Sequence, residues 1–262
     1  MSTSNRNTDQ MKPRPVDFHC HLDLHENMRA AFERCDRLGC ITLAVTTTPK
    51  AFEKNQELSE QADHVHAALG LHPQLVVKRG HEIELFEDLL TTTSFVGEVG
   101  LDASRRHYPS FELQKEIFAR ILNACRKQGS KIISVHSVRC GKQVLDMIEE
   151  SGANTNCWVV LHWFSASRSL IKKAVELNCF FSINEALVGK SNGHNILELA
   201  SMDQILTETD APFLRTNRGV VKVCDVGRTI ALIAQFFGEH PEDVANKIEK
   251  NARELLRQVG VE

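Results

Sequence analysis

What most constrains the fold of this chain is a rhythm. Eight short runs rich in apolar and β-branched residues are each separated from the next by a longer stretch of helical periodicity. The strand-like runs are Val16 to His19, Ile41 to Thr47, Val65 to Leu71, Phe95 to Leu101, Lys131 to His136, Trp158 to Phe164, Phe180 to Asn184 and Ile205 to Asp210. Helical patterns fill the gaps at Glu26 to Leu38, Ala51 to Ala62, His81 to Leu90, Phe111 to Lys127, Gly141 to Glu150, Ser167 to Leu177 and Ile196 to Ala200. In the fourth of these, Phe111, Ile117, Phe118, Ile121, Leu122 and Cys125 fall largely on one side, as a helix lying on a sheet requires. Two more helical segments, Asp225 to Phe237 and Pro241 to Val259, close the chain. Pro241 suits a first helical turn, and Glu242 and Asp243 suit the positive helix end. The alternation predicts an α/β fold, and the eight units predict a (β/α)8 TIM barrel. An open, doubly wound sheet is the competing arrangement. No Gly-rich phosphate loop, internal repeat or low-complexity tract interrupts the pattern.

The length of 262 residues is that of one such barrel. Residues 1–15 are polar and carry Pro13 and Pro15, so they read as a flexible lead-in to a single domain over 16–262. The lead-in has no apolar core of a secretory signal, and no apolar run reaches the roughly 18 residues of a membrane span. Eight cysteines are scattered without any C-x-x-C pair, mostly in apolar stretches, which points to buried free thiols in a reducing, cytoplasmic setting. With 31 Lys+Arg against 34 Asp+Glu the formal net charge is −3, which argues against affinity for nucleic acid through a broad basic surface. A polyanionic substrate would need another source of positive charge. Twelve histidines are the compositional oddity.

The first strand ends His19-Cys20-His21, and residues two apart in a strand share a side, so both imidazoles can meet one metal ion. Alone, that spacing is weak evidence. Other ligand-type residues recur at strand ends, however. Glu98 is a carboxylate inside the apolar run Phe95 to Leu101, where an unpaired charge would be costly. His136 and Asp210 each end a strand-like run, and His162 ends the apolar segment Trp158-Val-Val-Leu-His162. In a barrel these ends converge on one face, so six ligand-type residues from five strands meet in one pocket. Four histidines and two carboxylates exceed one ion that keeps a position open for water, and they suit two. A natural division places His19, His21 and Asp210 on one ion, His136 and His162 on the other, and Glu98 between them. The imidazoles favour Zn2+ or Mn2+ over Mg2+, although identity stays open.

The segments VDFHCHLDL, GLHP, VGEVGLD, VHS, LHWFS and TETDAPFL, in this order, resemble the TatD family of metal-dependent deoxyribonucleases. The resemblance runs from Val16 to the final helix. It implies a TIM barrel of the metal-dependent hydrolase type, with His19, His21, Glu98 and Asp210 around one divalent ion and Glu98, His136 and His162 around a second. It also implies hydrolysis of DNA phosphodiesters, often from the 3′ end of single strands. The chain departs from the usual pattern after Asp210, where Arg215-Thr-Asn-Arg-Gly219 leads into Val-Val-Lys-Val-Cys without an Asn-Glu-Pro loop. That departure puts substrate selection in question. It also resembles the TatD-like nuclease of the Qat anti-phage defence system, which would imply protein partners from a defence operon.

Asp210 is the candidate general base, with Glu98 beside it as the other catalytic carboxylate. Asp23 and Glu208 are candidates for orienting a histidine from behind, or are plain interior hydrogen-bonders. His72, in Gly70-Leu-His-Pro73, could contact substrate phosphate or simply cap the following turn. Arg105, Arg106, Arg139, Arg168, Arg215 and Arg218 follow strand ends, where one or two could hold a phosphate backbone, Arg139 foremost. Trp163 follows a ligand and could stack a base. Two other functions compete with the nuclease: an amidohydrolase or lactonase on the same kind of barrel, and a non-catalytic subunit of a larger assembly.

Overall fold

The computed structural model describes residues 12–261. It contains the eight expected strands, β1 (Val16–Cys20), β2 (Ile41–Val45), β3 (Val65–Ala68), β4 (Phe95–Asp102), β5 (Ile132–Val138), β6 (Trp158–His162), β7 (Phe180–Ile183) and β8 (Ile205–Thr207). A small antiparallel hairpin, β9 (Arg215–Thr216) and β10 (Gly219–Val220), follows them. Helices α1 (Met28–Arg37), α2 (Pro49–Ser59), α3 (Val76–Arg79), α4 (Ile83–Leu89), α5 (Phe111–Gln128), α6 (Gly141–Ser151) and α7 (Arg168–Glu176) occupy the crossovers. After β7 come α8 (Glu185–Val188) and α9 (Ser191–Leu199), and α10 (Gly227–Phe237) and α11 (Pro241–Gln258) end the chain.

All six laddered neighbour pairs among β1 to β8 are parallel. The two remaining seams are closed by fewer bonds. Between β3 and β4, Leu69 N–H donates to Phe95 O (3.0 Å) and Gly97 N–H to Leu69 O (2.8 Å). Between β8 and β1, Thr207 Oγ1 donates to Val16 O (2.5 Å) and Asp210 N–H to His19 O (2.9 Å). The sheet therefore closes on itself into a TIM barrel, which rules out the open doubly wound alternative. Strands β1, β2, β4 and β8 are buried along their whole lengths, as strands walled by helices on one side and a filled barrel on the other must be.

The helices cover the barrel with the residues the periodicity selects. Helix α5 buries Phe111, Gln114, Ile117, Phe118, Ile121, Leu122 and Cys125. Removing a fully buried ring such as Phe118 would cost about 3–5 kcal/mol. Helix α11 starts with Pro241 and the acidic first-turn pair Glu242 and Asp243, and Asn251 on its inner face donates to Ile205 O (2.9 Å), tying it to β8.

Three expectations are corrected here. Strand β8 stops at Thr207, because Asp210 takes a left-handed conformation (φ 48°) that turns its N–H onto β1. Strand β3 stops at Ala68, because at Gly70 the backbone makes way for Glu98 N–H to reach across to Thr46 O (2.9 Å). The helix expected from Ile196 begins at Ser191. Of the flexible lead-in, residues 1–11 lie outside the described residues. At its end, Arg14 N–H donates to Glu249 Oε2 (2.8 Å) and Pro15 O accepts from Ile41 N–H, so the stretch next to β1 is anchored. Among the described residues no helix is long and apolar enough to cross a membrane.

Candidate metal centre

The C-terminal parts of β1, β5 and β6, the middle of β4 and the turn after β8 bring His19, His21, Glu98, His136, His162 and Asp210 together, and the segment after β3 adds His72. Glu98 stands at the centre. Its Oε2 faces His21 Nε2 (3.2 Å) and His19 Nε2 (3.5 Å), and Asp210 Oδ1 lies 3.6 Å from His21 Nε2 and 3.9 Å from His19 Nε2. Its Oε1 faces His136 Nδ1 (2.6 Å), His72 Nε2 (3.3 Å) and His162 Nε2 (3.7 Å). One carboxylate thus presents each oxygen to a different histidine set. The rings of His19 and His162 stack at 3.7 Å, so the two sets share a wall.

The outer nitrogens of these rings show which inner nitrogens are free to bind a metal. Nδ1 of His162 lies 3.0 Å from Glu208 Oε2, and Nε2 of His136 lies 3.3 Å from Asp102 Oδ2. A carboxylate accepts, so each of those nitrogens carries a proton; the opposite nitrogens face Glu98, His136 Nδ1 at 2.6 Å, and would release their own proton on binding a metal. Nδ1 of His19 meets Ser134 Oγ (2.8 Å), and its Nε2 is buried with no hydrogen-bond partner. His72 differs. Its Nδ1 accepts from Gln74 N–H (3.1 Å), so its Nε2 bears the proton and is a donor to Glu98 or to a substrate oxygen rather than a ligand.

Burial works against charge on all of these groups, and their neighbours decide which way each one moves. For Glu98, burial is outweighed by His72, His136 and His19, which hold its carboxyl well below the usual range. Asp210 is held down in the same way, chiefly by its bond to His21. Against their own burial, His21 is raised to about 9 by Asp210 and Glu98, His162 to about 10 by Glu208, and His136 also upward by Glu98 and Asp102. Burial wins for His19 and His72, which shift down. Asp102 overcomes its burial through His136, Ser104 and Gln74 and stays ionised.

The donor set fits divalent cations. Nitrogen and oxygen donors about 2.0–2.1 Å from a tetrahedral zinc stand about 3.3 Å apart, close to the separations around Glu98. These contacts are mostly too long for good hydrogen bonds and suit donors gathered around a shared ion. The orphaned His19 Nε2 supports the same reading.

A cavity of about 580 Å³ opens onto this cluster, with Glu98 and Asp210 at its floor and Arg139, Trp163 and Phe213 among its lining. Arg139 (φ 58°) and Trp163 (φ 41°), directly after β5 and β6, and Asp210, in the turn beyond β8, all take left-handed backbone conformations. Such conformations in non-glycine residues are uncommon and concentrate at functional sites.

Of the other residues singled out in the sequence, Glu208 is buried behind His162 and also accepts from Ser182 Oγ and from Asn184 Nδ2 (2.9 Å). Asp23 sits in the short turn after His21, close enough for the His21 charge to act on its carboxyl, but its Oδ1 is buried without a hydrogen-bond partner. Arg139 is exposed at the cavity, whereas Arg168 pairs with Glu198 and Arg218 with Glu185. Arg106 lines a separate surface depression. Sequence reasoning missed Asp102, Ser134, Gln74 and Phe213 as members of the site. Asp102 was within reach, because Glu98, Gly100 and Asp102 are spaced by two along one strand and share a side.

A family model described as TatD related DNase matches residues 16–257. The chain is 27% identical over 263 residues to the uncharacterized metal-dependent hydrolase TatD of Mycobacterium tuberculosis, covering 91% of this chain and 96% of that protein. It is 26% identical over 257 residues to the uncharacterized metal-dependent hydrolase YabD of Bacillus subtilis, covering 92% and 98%. The crystal structure of YjjV, a TatD homologue from Escherichia coli, superposes with a TM-score of 0.82 at 22% identity, covering 94% of this chain and 97% of that one.

Proposed function

The chain belongs to the TatD-related DNase family and is a metal-dependent hydrolase; from that premise we propose that it uses two divalent ions to hydrolyse DNA phosphodiesters, as a 3′ to 5′ exonuclease on single strands. The observation that carries this reading is the division of Glu98 between its two histidine sets. A single ion would leave one set without purpose. The imidazole-rich donors favour Zn2+ or Mn2+ over Mg2+.

Divalent ions held there would draw electron density from the phosphoryl oxygens and make an attacking water more acidic. The chain's residues do the rest. Asp210, ionised and at the cavity floor, accepts the proton of that water. Protonated Nε2 of His72 donates to a phosphate oxygen in exchange for Glu98. Glu208 and Asp102 hold His162 and His136 in the orientation that keeps their inner nitrogens turned to Glu98. Arg139 at the cavity rim takes an adjoining phosphate. Positive charge is thereby concentrated at one point, which reconciles a nucleic-acid substrate with a net charge of −3. A cytoplasmic setting belongs to the same proposal, since all eight cysteines are free and buried.

The test is a metal-supplemented assay on purified protein against end-labelled single-stranded DNA, duplex DNA, RNA and a generic phosphodiester, with a lactone and an amide alongside. Stepwise shortening from the 3′ end of single strands, abolished by chelation and restored by Zn2+ or Mn2+, is the expected outcome. Turnover of the lactone or amide alone would replace this reading with the amidohydrolase one. A role in anti-phage defence, with operon partners, rests on the departures after Asp210; loss of protection in phage-challenged cells carrying Asp210→Asn is its test.

A further inference from the structure

The nuclease reading says where a phosphodiester is cut but not what holds the rest of the nucleotide. Phe213 is 57% exposed, although large apolar rings are normally buried, and it lines the catalytic cavity. Its exposure does not come from a loose loop. Leu214 after it and Ala211 two residues before it are buried, its own N–H donates to Asp210 O (2.8 Å), and Ala211 O accepts from His21 N–H (2.8 Å). The ring is therefore presented on a fixed backbone, so little conformational freedom remains to be lost when a ligand packs against it.

Its placement is specific as well. Phe213 stands edge-to-face on His21, with centroids 5.1 Å apart and planes at 83°. Trp163 stands in the same way on His162, at 6.4 Å and 84°. His21, His19 and His162 are themselves in ring contact, so the two aromatic side chains end a continuous series of rings that spans the metal cluster. Both rings line the cavity that holds Glu98 and Asp210.

We propose that Phe213, together with Trp163, is the base-binding element of this pocket, stacking on the nucleobase at the end of a single strand whose phosphodiester lies over Glu98. This deepens the nuclease reading and rests on it. Every nucleobase has a π-face, so such a platform is tolerant of sequence. It discriminates by strandedness instead, because a base inside a duplex has its faces covered and must be unstacked first.

The experiment uses a short single strand with phosphorothioate linkages and a 2-aminopurine base at its 3′ end, titrated with wild-type protein, Phe213→Ala and Phe213→Trp. The wild type should quench the fluorophore on binding. Phe213→Ala should bind roughly 5- to 100-fold more weakly with the quench lost, Phe213→Trp should restore both, and an abasic-ended strand should bind all three proteins equally weakly. Wild-type affinity and quench in Phe213→Ala, or an equal loss of affinity for base-bearing and abasic ends, would overturn the proposal. No binding by the wild type would overturn it too. Binding with the expected pattern but no cleavage of an unmodified strand would uphold base binding and remove the nuclease reading, which keeps the two failures apart.

Discussion

Glu208 holds His162 through a 3.0 Å contact to Nδ1 while accepting from Ser182 and Asn184 with the same carboxylate. Three donors converge on one buried acceptor, so a group with a donor of its own cannot replace it without an internal conflict. Glu208→Gln should weaken metal affinity or activity roughly 10- to 100-fold while the barrel still folds. Chelator competition on the purified variant reads the affinity directly. An unchanged metal affinity would mean that the orientation of His162 does not depend on Glu208.

Asp210 combines two properties that a general base needs, an ionised carboxylate and a place on the cavity floor. Asp210→Asn keeps the shape and removes the proton acceptor. Turnover should fall about 100- to 10,000-fold. Glu98→Ala should abolish turnover and also lower metal content, because it removes the oxygens shared by both histidine sets. Metal analysis of the two variants separates the roles, with Asp210→Asn expected to retain more metal than Glu98→Ala.

How much of this was legible in the sequence depends on distance along the chain. The strands and the inward residues His19, His21, Glu98, His136 and His162 follow from local patterns, since alternation and strand ends are properties of a few consecutive residues. Asp210 is legible as a site residue, but the apolar run before it reads as a longer strand than β8 is. Its left-handed turn onto β1 depends on closing a ring across some 190 residues, and no local signal carries that. The capping role open to His72 in the sequence is the one its ring takes, since Nδ1 accepts from Gln74 N–H once Pro73 has turned the backbone, and that contact sets its protonation. Phe213 reads in sequence as one more apolar residue, and only its exposure beside His21 marks it.

Gly70 provides a test of how the barrel positions Glu98. A Cβ there would lie 1.8 Å from Thr46 O and 2.6 Å from Glu98 N, inside the crossing where Thr46 O accepts from Glu98 N–H. Both obstacles are backbone, so nothing can swing aside. Gly70→Ala should cost about 3 kcal/mol or more and displace Glu98, lowering metal affinity with it. Gly227 in the first turn of α10 has nothing within 4 Å of its would-be Cβ, and Gly227→Ala should be neutral or slightly stabilising. Urea unfolding of the two variants makes the comparison, and equal stability would refute the backbone-crossing account.

His66 offers a pH test remote from the metal cluster. It lies on β3 with its ring stacked on Phe95 at 4.9 Å, and burial, reinforced by neighbouring His64, lowers it from 6.5 to about 4. The folded state therefore refuses a proton that the unfolded chain accepts below pH 6.5, so stability is lost as pH falls from 6.5 toward 4. Between pH 7 and pH 5 this single group should remove about 2 kcal/mol. His66→Phe keeps a ring against Phe95 and has nothing to protonate. Its unfolding free energy, measured in urea at both pH values, should gain about 2 kcal/mol on the wild type over that interval. Parallel pH dependence in the two proteins would show that His66 takes up its proton in the folded barrel as readily as in the unfolded chain.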